Sequence, residues 1–174
     1  GDLIISAGFQ GGPRVAVFDG ASIAAGGGAN GAVPVKLVQD FFAFEDTLRN
    51  GAFVTGADVD GDGFAELIAG AGPGGGPRVV AFDGAALLAG VQTQVASFFA
   101  GDPGNRNGVP VAVTDFDGDG DADLLAGVGE PLPGTPGTAV PAAVYAVSTI
   151  GQASPPAVAT PDPFPGFGGG IFVG

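Results

Sequence analysis

A nine-residue acidic segment occurs twice in this chain, with its copies 57 residues apart. They read Asp58-Val-Asp60-Gly-Asp62-Gly-Phe-Ala-Glu66 and Asp115-Phe-Asp117-Gly-Asp119-Gly-Asp-Ala-Asp123. Each runs directly into an apolar stretch, Leu67-Ile-Ala-Gly70 and Leu124-Leu-Ala-Gly127. A chain that repeats itself over tens of residues builds its core by stacking copies of one supersecondary unit, because a single copy cannot bury its own apolar face. The acidic segment also carries a chemical message. Alternate side chains of a tight turn converge on one centre, and glycine permits the backbone angles that close it. Carboxylates at positions 1, 3, 5 and 9 (Asp58, Asp60, Asp62 and Glu66; Asp115, Asp117, Asp119 and Asp123) suit a hard cation, calcium before magnesium, whose small rigid octahedron fits a carboxylate cage poorly.

The repeat extends well beyond the acidic segments. Residues 2–20 align without gaps on residues 66–84, and residues 38–63 align without gaps on residues 95–120. Ala122–Gly129 matches Ala65–Gly72, and the tail Gly170-Ile-Phe-Val-Gly174 matches Gly51-Ala-Phe-Val-Thr55. Within one unit, four short runs of β-branched and aromatic residues are bounded by turn formers, which predicts strands a to d over Ala52–Ala57, Glu66–Ala71, Arg78–Phe82 and Gln94–Phe99. The acidic segment is then the a–b connection.

With 35 glycines, 15 prolines and few Lys, Gln or Met, the composition is that of short strands and many turns. Ala21–Ala29 and Ala85–Val91 hold one or two helical turns at most, too little for a solenoid that needs a helix in every unit. The fold class expected is all-β, with propeller blades of four antiparallel strands.

Strand counting sets the expected organisation as a single repeat domain over 1–174: a partial blade 1–50 with strands b, c and d, a blade 51–107, a divergent blade 108–169, and a closing strand 170–174 that completes the first blade. Three blades fall below the usual four to eight. The expectation is therefore either a segment of a longer propeller or a homo-oligomer that completes the ring.

The wording Phe98-Phe-Ala100, Gly108, Asp115-Phe-Asp-Gly-Asp-Gly120 and Gly70-Ala-Gly-Pro-Gly-Gly-Gly-Pro-Arg-Val-Val-Ala-Phe-Asp-Gly84 resembles the FG-GAP/VCBS repeats of integrin-α-like propellers, especially bacterial extracellular ones. That resemblance implies a propeller with Ca²⁺ in its blade loops, displayed outside or on the surface of a bacterial cell, in adhesion, recognition or surface structure. It also implies a fifth ligand at position 7, the backbone carbonyls of Phe64 and Asp121. An EF-hand is excluded because its bidentate Glu at position 12 is replaced by Ala69 and Ala126.

The charge, −13 with five cationic residues, disfavours nucleic acid and anionic lipid as partners. No apolar run is long enough to insert into a membrane. The partner expected is a protein or a carbohydrate. With no His or Cys, one Lys and one Tyr, the chain is expected not to be an enzyme. The rival reading is the propeller part of a calcium-dependent polysaccharide lyase or hydrolase.

Among other residues, Asp19 and Asp83 are expected as turn formers. Arg14 and Arg78 are expected as salt-bridge partners between blades. Phe41/Phe42 and Phe98/Phe99 are expected to pack one ring on each covered face of strand d. The glycines of Gly72–Gly76 lack the Lys-Ser/Thr and helix of a phosphate loop.

Overall fold

The computed structural model describes residues 1–8, 10–26, 32–130 and 141–174. Residues 131–140 of the blade expected to be divergent, 108–169, lie outside the described residues, as does the end of Ala21–Ala29. Among the described residues, ten strands form three antiparallel sheets. Sheet one is β1 (Leu3–Ser6), β2 (Arg14–Phe18) and β3 (Lys36–Phe42). Sheet two runs in spatial order through β4 (Ala52–Ala57), β5 (Glu66–Ala71), β6 (Arg78–Phe82) and β7 (Gln94–Phe99). These four ranges coincide with the expected strands a to d. Sheet three contains β8 (Val111–Thr114), β9 (Asp123–Ala126) and β10 (Ala143–Ala146).

The sheets stack face to face, and sheet two is apolar on both sides. Every residue of β5 is buried, as expected for a strand covered on both faces rather than one with alternating burial. Toward sheet one, Leu67, Ala69, Val80 and Phe82 pack against Val15, Val38 and Phe41. Toward sheet three, Ile68, Val79, Ala81 and Phe98 pack against Val111, Leu124 and Tyr145. Burying a side chain such as Ile68 fully is worth about 1.5–3 kcal/mol. Each interface carries one edge-to-face aromatic pair, Phe41–Phe82 and Phe98–Tyr145, both with ring centroids 5.1 Å apart. The recurrence shows one packing solution used twice.

Backbone junctions repeat as well. The amide that enters each new strand a donates to the carbonyl ending strand b of the preceding sheet. Ala52 donates to Ala7 (3.3 Å), Val109 to Ala71 (2.9 Å) and Ile171 to Val128 (2.6 Å). The tail therefore follows sheet three as Ala52 follows sheet one, which agrees with its match to Gly51–Thr55. Its described ladder contact is the antiparallel bridge Val128–Ile171. The pairing with β1 expected of a closing strand is not among the bridges of the described residues.

Four further expectations change. The fourth strand of sheet three is reduced to a single bridge, Val144–Ala159. Pro155, Pro156, Pro161, Pro163 and Pro165 have no amide hydrogen to donate, so no longer ladder forms there. Asp19 and Asp83 are helix N-caps rather than simple turn formers. They open the one-turn helices α1 (Gly20–Ala24) and α2 (Gly84–Leu88), and their carboxylates accept the amides of Ala21 and Ser22, and of Ala86. In sheet three the same place holds Ala146, which offers no side-chain cap, and the turn tightens to the 3₁₀ segment Val147–Thr149. Arg14 pairs within its own sheet with Asp40, whereas Arg78 reaches from sheet two to Glu45, 2.9 Å away in the connection after β3. Of these two arginines, Arg78 is the one that links successive sheets. Finally, Phe41 and Phe98 are buried but Phe42 and Phe99 are about half exposed. Their strands are the outermost of each sheet, and the second ring has a neighbour on only part of its face.

Candidate metal sites

Both acidic segments connect strand a to strand b, β4 to β5 and β8 to β9, and fold identically at the level of individual hydrogen bonds. The carboxylate of Asp58 accepts the amides of Gly61 (2.8 Å) and Gly63 (3.0 Å), and that of Asp115 accepts those of Gly118 (2.7 Å) and Gly120 (3.1 Å). Asp60 accepts from Asp62 and Asp117 from Asp119. Asp62 accepts from Phe64 at 2.8 Å, and Asp119 from Asp121 at 2.8 Å. Both glycines of each loop stand in the left-handed region, Gly61 at φ 78° and Gly63 at 91°, Gly118 at 82° and Gly120 at 96°. A side chain there strains the turn that points the carboxylates inward.

Position 9 behaves differently. Glu66 is 1 % exposed and Asp123 is 6 % exposed, while the other acids of both loops are exposed. Glu66 accepts the amide of Val59 at 2.7 Å and that of Gly84 at 3.3 Å, and Asp123 accepts the amide of Phe116 at 3.0 Å. Burial pushes the Glu66 carboxyl above the usual carboxylate range. The Val59 and Gly84 amides oppose the shift, and the charges of Asp60 and Asp62 add to it. Carboxylates gathered this closely form a polyanionic site that a cation relieves.

Among the described residues, two groups of acids bring ligand oxygens within 4.8 Å of one another: Asp58, Asp60 and Asp62, and Asp115, Asp117 and Asp123. Oxygens about 2.4 Å from a shared Ca²⁺ lie at most about 4.8 Å apart, so both groups fit one ion. Each group gathers three of its four expected carboxylates. Glu66 lies outside the first group and Asp119 outside the second. Phe64 and Asp121 are exposed at position 7. A carboxylate has about four acceptor directions, so the amide bonds leave lone pairs for a cation.

The link from Glu66 to Gly84 was not anticipated, although its signal lay in the repeat. The matched spans 2–20 and 66–84 begin and end at Asp2/Gly20 and Glu66/Gly84, and Asp2 accepts the Gly20 amide at 3.1 Å. In both sheets this acid ties the start of strand b to the turn after strand c.

No match was found among curated proteins or among solved structures. The family model described as an FG-GAP-like repeat matches residues 58–126, from the first acidic loop to the end of β9, and this stretch is similar to that family.

Proposed function

We propose that the chain is a calcium-binding β-propeller module, displayed outside or on the surface of a bacterial cell, that serves adhesion, recognition or surface structure by holding a protein or carbohydrate partner. Calcium would be held by Asp58, Asp60 and Asp62 in one loop and by Asp115, Asp117 and Asp123 in the other, fixing the end of strand a against the start of strand b. Glu66 and Asp119 remain available to complete each shell, together with the carbonyls of Phe64 and Asp121. The reading rests on one observation: two loops with the same hydrogen-bond pattern each gather three carboxylates to the spacing of a single hard cation. We assign the module no catalytic role. Its carboxylates are the main acid–base candidates in a chain without His or Cys, and half of all its acids lie in these two loops.

Calorimetric titration of the chelator-treated chain with CaCl₂ tests the proposal. Two binding events are expected, with a parallel rise in melting temperature and a weaker response to MgCl₂. A chain that neither binds Ca²⁺ nor melts differently in EDTA overturns it.

A further inference from the structure

Sheets two and three pack through their apolar faces, but at the end that carries the acidic loops they part around a cleft of about 640 Å³. That volume lies within the roughly 300–1,000 Å³ of small-ligand sites. One wall comes from Ala57 of β4 and from Asp58, Val59 and Asp60 of the first loop. The other comes from Val113 of β8 and from Asp121 and Ala122 of the second loop. Val147 and Ser148, in the turn after β10, complete the lining.

The repeat builds this cleft. Val113, Asp121, Ala122 and Val147 hold the places of Gly56, Phe64, Ala65 and Gly84, which line the cleft that sheet two forms with sheet one. Position 7 of the acidic loop is thus a cleft residue in both, and it changes from apolar at Phe64 to acidic at Asp121.

We propose that the cleft between sheets two and three receives a lysine side chain of a partner protein, whose ammonium donates to the Asp121 carboxylate. The proposal rests on the partner-binding part of the function proposed above and not on its calcium. Three observations choose this occupant. Asp121 is exposed, forms no salt bridge among the described residues, and stands outside both groups of acids that gather around a cation. Position 7 is expected to give a metal its backbone carbonyl, which leaves this carboxylate for another ligand. Ala57, Val59, Val113, Ala122 and Val147 offer apolar walls, along which an aliphatic stem lies while its charged head stays in water. The exposed Ser148 adds a hydroxyl acceptor.

The third observation is the distribution of charge. Arg14 and Arg78 open strands c and Arg49 and Arg106 precede strands a, so the four arginines lie at the opposite end of the sheets. Lys36 lies at the loop end but is held by Asp40 at 2.6 Å. Loop one has four acids and loop two has five, so a divalent cation in each leaves both walls anionic. A lysine fits better than an arginine, because one carboxylate suits a compact ammonium whereas a guanidinium fork seeks a bidentate partner.

The test is an amide NMR titration of the chain in saturating CaCl₂ with Nα-acetyl-lysine amide. Nα-acetyl-norleucine amide, which has the stem without the ammonium, is the control. Saturable shifts at the amides of Ala57, Ala122 and Ser148 are expected with the lysine probe alone. Asp121→Asn should weaken them about tenfold or more, the loss of one charge-assisted hydrogen bond. Ser148→Leu fills the cleft without touching an acid of either loop, and should abolish them while the rest of the spectrum is unchanged. Equal shifts from both probes, shifts that either substitution leaves unchanged, or no shifts at all overturn the proposal. So do shifts seen in EDTA that vanish in CaCl₂, because the ammonium then occupies the cation sites. Calcium binding is read separately by calorimetry, so its failure and the failure of the lysine site are distinguishable.

Discussion

The carboxylate of Glu66 accepts the amide of Gly84 across eighteen residues, and 64 positions earlier Asp2 does the same for Gly20. Position 9 of the acidic loop therefore has a task independent of any cation. It anchors the turn after strand c, where the Asp83-capped helix α2 begins, to the start of strand b. In the proposed reading, a cation held at the exposed acids would act on the sheet through this one buried acid.

Replacing that acid exposes the cost of the anchor. Glu66→Ala removes the acceptor for both Val59 and Gly84 and leaves buried amides unpaired, a loss of about 1–3 kcal/mol. Glu66→Gln keeps one acceptor oxygen and should lose less. Urea unfolding in EDTA ranks the three proteins. Equal stability of Glu66→Ala and the unsubstituted chain would show that the anchor carries no energy.

The same group gives a pH dependence with a definite sign. The folded state raises the Glu66 pKa above its ordinary value of about 4.3. Its contribution is thus full below that value and is lost as pH rises through the folded pKa. In EDTA, the stability difference between the unsubstituted chain and Glu66→Gln should shift against the unsubstituted chain as pH rises from 4 to 7. Asp40 runs the other way. Hydrogen bonds from Lys36 and then Arg14 hold its pKa below the usual range, so its contribution is present above about pH 3.9 and is lost on acidification. Asp40→Asn should flatten the acid limb of the melting curve while leaving the Glu66 difference unchanged.

The sheets were legible in the sequence to the extent that their strands alternate with turn chemistry. Strands a to d of the central unit are marked by Asp-Gly, Gly-Pro and Phe-Asp-Gly, and all four were found at their observed bounds. The fourth strand of sheet three was not, because its place is occupied by prolines whose missing amides reduce a strand to one bridge. The acidic loops could be read because a turn brings its own alternate residues together. Contacts set by stacking were less accessible. Nothing local in Arg14 and Arg78 distinguishes a partner in the same sheet from one in the next, since both follow Gly-Gly-Pro.

Independence of the two cation sites is testable by single substitutions. Asp60→Asn removes charge from the first cluster and Asp117→Asn from the second. At a hundredfold excess of Ca²⁺ over the dissociation constant, each intact site adds about 2.7 kcal/mol. Each variant should therefore lose roughly half of the calcium-induced stabilisation, and the double variant nearly all of it. Complete loss from either single change would show that the loops act as one site.

Arg78 is the charged link between sheets one and two, lying 2.9 Å from Glu45 and with its guanidinium 6.0 Å from the Phe44 ring centroid. The pair is largely solvent-exposed, so Arg78→Ala should cost no more than about 1 kcal/mol, and less in 1 M salt. Arg14→Ala removes a contact within one sheet and should leave the protease sensitivity of the connection between β3 and β4 unchanged. Arg78→Ala should raise that sensitivity.

Sheets two and three approach each other closely at Gly70. A methyl group placed there would run into the carbonyl oxygen of Val109 and also crowd the Val109 and Val111 side chains. The obstacle is backbone, and that backbone is held by the bond from Val109 N–H to the Ala71 carbonyl. It cannot move aside without breaking the junction. The equivalent residue in sheet one is Ser6, whose hydroxyl instead donates to the Ala52 carbonyl at 2.6 Å, so that junction is spaced to hold a side chain. Gly70→Ala should therefore destabilise by at least the 1–3 kcal/mol typical of overpacking. Gly127→Ala makes the corresponding clash with the Ile171 carbonyl. Its neighbour belongs to the tail, which yields at the cost of one bridge, and the change should cost clearly less. Thermal unfolding of the two variants side by side decides the matter, and equal losses would mean that the tail is held as firmly as a blade.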